Sequence, residues 1–398
     1  MTDIKQYSAS DRRATSVRLW LLASGAFIFG TGGFVIAGLL PSIADSFTIS
    51  ISTASLLITV YALVFAVGAP LIAMVTSRVP RTVLIATGLA VGTFGTILAA
   101  FVPTFELMIA ARVIGALGAA AYVPAATGAA AAIAEPGKQG RAVALVTGGF
   151  TAATALGAPL GTAIGSIGTW HWSLWFVGAL GVIALVAIII VLRGIPAPDP
   201  LTVRERFAPL ASLRIGTVLL TILLIVAGQY SAYTFFGAVQ DRATGGSGLV
   251  LSLLLFVYGA SATVGNIAAG TLVDRFGNRR VLNVAVAVLI AAFIVMPFTA
   301  STLVGAIVTI AVWGLSAWAA LLALQVRVVA VSPGAIAWST SAVFIGIALS
   351  APLGSFAINA LGVHFLTLGV AAVVVLAALV GELSHWLQSR HERRLVAV

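Results

Sequence analysis

The chain has 398 residues, of which 61% are hydrophobic and 8% are charged, and it carries a formal net charge of +10. Soluble domains contain about 25% charged residues, so this composition excludes a water-soluble globular protein. Cysteine is absent and the four histidines are scattered, which excludes disulfides and thiolate metal sites. We predict neither a metal site nor a cofactor.

Apolar runs of about 20 residues recur along the whole chain, each long enough to cross a hydrocarbon core about 30 Å thick. Each run must be a helix or a strand of a closed barrel, because lipid offers backbone groups no partner. Barrel strands need only about 10 alternating residues, whereas these runs are longer and apolar on all sides. The sequence predicts an all-α polytopic membrane protein with 12 transmembrane helices near 18–41, 54–75, 83–102, 105–130, 142–165, 171–193, 214–238, 248–271, 281–300, 302–325, 337–360 and 364–385.

The first run is read as a retained span rather than a signal peptide, since no small-residue cleavage site follows a short apolar core. Most lysines and arginines fall on the side of these spans that holds the N-terminus. Arg242 falls on the other side, and Arg112 falls inside the membrane. Positive residues stay cytoplasmic, so we expect both termini in the cytoplasm and the chain in the cell (inner or plasma) membrane. This sorting explains the positive charge without a nucleic-acid partner.

One long polar segment, residues 193–214, divides the spans into two groups of six, and its three prolines block early helix formation. We predict a cytoplasmic N-terminal tail (1–17), an N-terminal six-helix bundle (18–193), a cytoplasmic central loop (194–213), a C-terminal six-helix bundle (214–385) and a cytoplasmic C-terminal tail (386–398).

The two groups of spans repeat each other at an offset of about 195 residues. The segment "ALGAPLGT" (155–162) returns as "ALSAPLGS" (348–355), and Asp45 at the end of the first span corresponds to Asp241 at the end of the seventh. This duplication predicts two pseudo-symmetric six-helix bundles with a cavity at their interface, near the middle of the membrane.

Three segments resemble motifs of the major facilitator superfamily. The segment "GNIAAGTLVDRFGNRR" (265–280) resembles its loop signature, "ARVIGALGAAAY" (111–122) its fourth-span motif, and "GGFTAATALGAPLGTAIG" (148–165) its fifth-span antiporter motif. The whole chain most resembles the twelve-span drug:proton antiporters, near the chloramphenicol and sugar efflux branch. The resemblance implies the major facilitator fold and a monomer in the lipid bilayer that exports small amphipathic, drug-like or antibiotic-like molecules by alternating access in exchange for protons.

The resembled loop signature predicts a conformational latch. Asp274 can pair with neighbouring arginines and helix ends, and such a latch must break when the halves rock; the alternative is ordinary positive-inside charge. In the first half Ser77 occupies the aspartate position, so that latch is expected to be weaker. Small-residue stripes of spans five and eleven are expected to pack closely, also between the sliding halves. The gating candidates are Gly68, Arg78, Arg81, Gly157, Pro159, Gly161, Gly270, Asp274, Arg275, Gly277, Arg279, Arg280 and Pro352.

Substrate-binding candidates lie inside the spans. Gln229, Tyr230 and Tyr233 share one helix face and offer an amide and two phenols to a mostly apolar, drug-sized cavity. A buried arginine such as Arg112 is costly, and its options are a substrate or anion contact, a partner for a carboxylate, or a cap on backbone carbonyls. The other candidates, each of which has the alternative of filling the bundle or anchoring at the membrane surface, are Phe34, Tyr61, Asn266, Trp313, Trp318 and Gln325.

The sequence offers few candidates for energy coupling. No nucleotide-binding loop is present, and no acidic residue lies near the centre of a predicted span. The coupling candidates are therefore Asp45, Glu106 and Asp241 near the outer ends, and Arg112. The resembled families usually read G-T-x-E-F in the first span, where this chain has "GTGGF" with Gly33 at the glutamate position. The alternatives are facilitated or weakly coupled efflux of a sugar-type or nucleoside-type metabolite, and a membrane sensor that does not transport. No constellation indicates an enzyme.

Overall fold

A computed structural model describes residues 9–76, 78–135, 139–192, 194–195, 208–331 and 335–396. Twelve helices in these ranges are long and apolar enough to cross a membrane, which confirms the predicted all-α architecture. They are α1 (Ala9–Phe47), α2 (Leu56–Val75), α3 (Arg81–Ala99), α4 (Phe105–Ile133), α5 (Gln139–Ala152, Ala153–Gly157 and Ala158–Ile167), α6 (Trp170–Val191), α7 (Leu213–Thr234), α8 (Gly248–Phe276), α9 (Asn278–Thr299), α10 (Leu303–Val331), α11 (Ile336–Leu361) and α12 (Leu366–Val396).

Short helical turns connect some of these helices. Ile51–Ala54 precedes α2, and Phe236–Val239 and Asp241–Thr244 lie between α7 and α8. The 3-10 turns Ala208–Ala211 and Val363–Phe365 precede α7 and α12. Among the described residues these connections are short, so successive helices run in opposite directions.

The first and last helices extend into the predicted terminal tails. The first helix begins at Ala9, inside the predicted N-terminal tail, and α12 continues to Val396, through the predicted C-terminal tail. The 39 residues of α1 reach about 58 Å at 1.5 Å per residue, well beyond the hydrocarbon core. Hydropathy marks where lipid begins, whereas a helix continues into water through polar residues of good helix propensity.

The two ends of the bundle are distinguished by their charges. We call the end at which α1, α3, α7 and α9 begin the basic side, and the opposite end the far side. On the basic side, Arg81 Nη1 donates to the Gly128 carbonyl at the end of α4, at 2.7 Å. On the far side, Trp170 Nε1 at the start of α6 donates to Ser46 Oγ at the end of α1, at 3.0 Å. These contacts hold neighbouring helix ends together within the first half.

The small-residue stripe of α5 packs against α1 of the same half. A Cβ added to Gly157 would overlap Thr31, and one added to Gly161 would overlap Val35. The corresponding stripe of α11 packs against α7, where Ser231 Oγ donates to the Ser350 carbonyl at 2.9 Å. The expectation that these stripes also pack between the sliding halves is corrected here, because α1 and α7 occupy those faces.

The two six-helix halves meet mainly where α2 faces α11 and where α5 faces α8. The rings of Phe65 on α2 and Phe344 on α11 stack at a centroid distance of 3.8 Å. Ser252 Oγ on α8 donates to the Pro159 carbonyl on α5 at 2.7 Å. Gly259 on α8 approaches the α5 backbone so closely that a Cβ there would overlap Ala155.

The helix α5 widens into a π turn at Ala153–Gly157, one turn before Pro159. Proline has no N–H to donate and its ring clashes with the carbonyl four residues earlier, and a π turn relieves both conflicts. Pro352, the α11 counterpart of Pro159, lies within a continuous α-helix. The repeat is therefore asymmetric at this point, and the widened turn lies where α8 touches α5.

Candidate functional site

Six aromatic side chains meet where the two halves touch, and we call them the central aromatic cluster. Its members are Phe34, Phe65 and Phe150 from the first half, and Tyr230, Tyr233 and Phe344 from the second. The Phe34 centroid lies 6.1 Å from that of Tyr230 and 6.0 Å from that of Tyr233. The structure thus brings three sequence-predicted residues together across the interface.

The other three members, Phe65, Phe150 and Phe344, were missed by the sequence analysis. Phenylalanines are common in apolar spans, and no charge or motif marks these three. The contact of Phe344 with both Phe65 and Phe150, whose centroid is 6.1 Å away, arises only from the packing of α11 against α2 and α5. The internal repeat is the sequence signal that could have indicated them, because it allows the helices of the two halves to be packed against each other by symmetry.

A polar group lies beside this cluster inside the second half. Trp318 Nε1 donates to Tyr258 OH at 3.3 Å, and Tyr258 OH donates to Gln229 Oε1 at 3.4 Å. Trp313 packs on the Tyr258 ring at a centroid distance of 4.7 Å. In the described part of the chain, Gln229 Nε2, Tyr233 OH and Trp313 Nε1 are buried without a hydrogen-bond partner. Buried polar atoms normally find partners, so these three are candidates for ligand contacts.

Tyr258 was also missed, although the internal repeat carries the signal, since Tyr258 in α8 corresponds to Tyr61 in α2. Two predicted residues lie apart from this group. Gln325 is exposed on α10 near the basic side, and Asn266 is half-buried on α8. No hydrogen bond joins either side chain to the central aromatic cluster within the described residues.

Arg112 lies inside the first half and is only 5% exposed. Its Nη1 donates to the Gly32 carbonyl at 2.8 Å, and its Nε donates to the Leu57 carbonyl at 3.4 Å. The guanidinium carbon lies 4.1 Å from the ring centre of Tyr61, a cation–π contact. Of its three possible roles, this geometry realises the cap on backbone carbonyls, and no ion pair to Arg112 occurs within the described residues.

The acidic coupling candidates, Asp45, Glu106 and Asp241, are all exposed at far-side helix ends. Asp241 lines a cavity of about 540 Å³ between the far-side ends of α1, α5, α7 and α8. Its Oδ1 lies 2.9 Å from Nε2 of His364, which sits in the turn before α12. The chain reversal after α11 creates this pair from residues that are distant in sequence.

The predicted latch has a different arrangement in this structure. Asp274 is exposed, and no ion pair to it occurs in the described ranges. Arg279 pairs instead with Glu382 of α12 at 2.6 Å, because Gly277, with φ of +84°, turns the chain so that α9 starts toward α12. Such a φ strongly favours glycine.

Most of the remaining gating candidates lie on the basic side or in helix contacts within a half, whereas the Pro159 carbonyl accepts from Ser252 across the interface. Arg275 stacks over the Phe276 ring at 5.2 Å, and Arg78 and Arg280 are exposed. Gly68 faces Ala120 of α4 and Gly270 faces Leu322 of α10, both inside their own halves. Pro352 is exposed on α11. Ser77 lies outside the described residues.

Comparison with known proteins places this arrangement in a family. The model of the Major Facilitator Superfamily matches residues 22–334. The inner membrane transport protein YdhP of Escherichia coli (strain K12) is 32% identical over 366 residues, which cover 91% of this chain and 94% of that protein. A chloramphenicol resistance protein of Streptomyces lividans is 33% identical over 264 residues, which cover 65% of this chain and 67% of that protein.

Solved structures agree on the fold. An inward-facing, occupied bacterial homologue of the human lysosomal transporter Spinster has a TM-score of 0.73 at 19% identity, over 96% of this chain and 98% of that one. The partially occluded, inward-open xylose transporter XylE from E. coli has a TM-score of 0.70 at 15% identity, over 92% of this chain and 97% of that one. This chain belongs to the major facilitator superfamily, and it is a multi-pass membrane transporter, not an enzyme.

Proposed function

We propose that this transporter exports small amphipathic, drug-like or antibiotic-like molecules by alternating access, in exchange for protons. The central aromatic cluster carries this proposal, because it is built from both halves at the point where they touch. A substrate bound there contacts α1 and α7 at once, so movement of one half against the other changes its access. By the same proposal the basic side faces the cytoplasm and the far side faces outward.

The composition of the site favours a mostly apolar substrate with a few hydrogen-bonding groups. Six aromatic rings supply the apolar surface, and the unpartnered Gln229 Nε2, Tyr233 OH and Trp313 Nε1 supply polar contacts. A buried polar atom left without a partner costs about 1–3 kcal/mol, so a ligand with hydrogen-bond acceptors gains affinity there. No acidic or basic side chain belongs to the cluster, which favours neutral substrates.

The interface between the halves is suited to opening. Its described contacts are aromatic stacking, close backbone approach and the hydrogen bond from Ser252 to Pro159. No ion pair crosses the interface within the described ranges, so separation leaves no uncompensated buried charge. The far-side cavity beside Asp241 supplies the start of an exit route.

Proton exchange is assigned to the pair formed by Asp241 and His364. It combines two titratable groups, borders the far-side cavity and lies within reach of solvent.

The test is transport in proteoliposomes with and without an imposed pH gradient, using a panel of neutral amphipathic antibiotics, sugars and nucleosides. We expect the pH gradient to drive accumulation of an amphipathic compound by the unaltered protein. In Asp241→Asn we expect only downhill flux of that compound, at a rate that does not depend on the pH gradient. Equilibration of a sugar or nucleoside across the membrane, with no effect of the pH gradient in the unaltered protein, would indicate facilitated efflux instead. No flux of any compound would favour a sensor.

A second expected result concerns Gln229. Gln229→Leu removes one buried amide of the polar group and raises the KM for the transported compound about tenfold, the equivalent of about 1.4 kcal/mol. Asn283→Leu, which removes an exposed amide that binds Glu382 on the basic side, is the matched control and leaves KM unchanged. Equal KM values for both variants would place the substrate elsewhere.

A further inference from the structure

A small cavity lies beside Arg112, inside the first half and separate from the central aromatic cluster. It is lined by residues of five helices, among them Gly32, Tyr61, Thr93 and Arg112. About 10 Å³ is open to the centre of a water-sized occupant, which is room for one water molecule or one monatomic ion. A carboxylate-bearing metabolite or a phosphate is too large for it.

The polar atoms around this cavity are incompletely paired. Arg112 Nη2 and Thr93 Oγ1 are both buried and have no hydrogen-bond partner in the described part of the chain, and both residues are about 95% buried. The guanidinium has five N–H donors, and the Gly32 and Leu57 carbonyls accept from only two of its nitrogens. The third nitrogen is left for an occupant of the cavity.

Within the described residues, the charge of Arg112 also lacks a counter-ion. A buried charge without a partner of opposite charge is strongly destabilising. The two backbone carbonyls and the ring of Tyr61 compensate the full charge of Arg112 only in part. The acids Asp45, Glu106 and Asp241 are exposed at the far side, and none lines this cavity. A water molecule satisfies a donor but brings no charge.

We propose that this cavity binds a small monovalent anion of the size of chloride, held by Arg112 Nη2. The anion acts as an exchangeable counter-ion that neutralises Arg112 inside the membrane. Glycine at position 32 leaves room for it, because a Cβ added there would meet only Val177 Cγ1, at 3.6 Å. The proposal goes beyond substrate export and does not depend on it.

Thermal unfolding of the purified protein tests the site. We compare chloride with gluconate, a large organic anion, at equal ionic strength. A ligand that binds only the folded state raises the unfolding temperature by mass action, and we expect a chloride-specific rise of about 2–4 °C. Arg112→Gln abolishes this rise, and Arg13→Gln, which removes one exposed arginine charge, retains it. Equal unfolding temperatures of the unaltered protein in the two salts would overturn the proposal.

A second variant covers the case in which Arg112→Gln fails to fold. Gly32→Asp puts a fixed carboxylate into the cavity, so this variant is as stable in gluconate as in chloride. The line width of the chloride-35 NMR signal measures chloride binding directly. We expect the unaltered protein and Arg13→Gln to broaden this line, and we expect added bromide to reverse the broadening by displacing chloride. Gly32→Asp is expected to cause no such bromide-sensitive broadening. Equal broadening by all three proteins would assign the bound chloride to the surface and refute the site. Neither readout involves transport, so failure here is distinct from failure of the proposed export.

Discussion

Gly259→Val reduces transport to less than about a tenth of its original rate while both halves remain folded. Gly259 of α8 lies against the backbone of Thr154 and Ala155 in the π turn of α5, and a Cβ would overlap the Ala155 Cα. Backbone atoms cannot move aside as a flexible side chain does, and overpacking costs about 1–3 kcal/mol. The cost falls on the conformation in which the two halves touch, so one state of the transport cycle is depopulated.

The flux measurement is paired with a measurement of conformation. The chain contains no cysteine, so Ser52→Cys in the wall of the far-side cavity provides a single reactive thiol. We expect faster labelling of this thiol by a membrane-impermeant maleimide when Gly259→Val is added. Gly216→Ala on α7 is the matched control, since a Cβ there meets no atom within 4 Å. Unchanged flux and labelling in Gly259→Val would show that transport does not require this contact.

Gly33→Glu introduces or strengthens a dependence of the transport rate on pH. A Cβ on Gly33 would lie 3.7 Å from the Tyr61 ring, and the guanidinium of Arg112 lies over the same ring at 4.1 Å. The new carboxyl group therefore reaches the neighbourhood of Arg112 without displacing the backbone. Its protonation changes the charge of the site, and we expect the rate to change by about tenfold per pH unit on the limb where it titrates.

The neutral variant Gly33→Gln separates charge from size. It introduces a side chain of the same shape, and its rate follows the pH dependence of the unaltered protein. Initial rates of the unaltered protein and of both variants in proteoliposomes, measured as a function of pH, provide the comparison. Identical pH profiles for the glutamate and glutamine variants, both folded, would contradict a coupling role for this position.

Sequence reasoning succeeded where the information is local. The twelve spans follow from hydropathy and length, because lipid forces every spanning segment to satisfy its backbone internally. The division into two halves followed from one polar segment and an internal repeat. Phe34, Tyr230 and Tyr233 were singled out because their polar or aromatic character stands out in an apolar helix. The structure places them in one cluster, and their contact with substrate stays a prediction.

Sequence reasoning failed where contacts depend on the mutual arrangement of helices. The pairing of Asp241 with His364 joins residues on either side of four helices, and the pairing of Arg279 with Glu382 depends on the direction in which Gly277 turns the chain. The small-residue stripe of α5 was recognised as a packing surface, but its spacing does not say which neighbour covers it. In the structure that neighbour is α1 of the same half.

The sequence by itself determined that this chain is a twelve-helix membrane transporter of duplicated design, because hydropathy, charge sorting and repeats are properties of the linear chain. Only the tertiary structure decided that Phe65, Phe150 and Phe344 join the central aromatic cluster, and that Arg112 is capped by two carbonyls beside a small cavity. Helices in lipid choose their partners by shape and close packing rather than by hydrophobicity, since lipid is as apolar as their side chains. Shape complementarity between helices is a property of three-dimensional surfaces, and a linear pattern of apolar residues does not specify it.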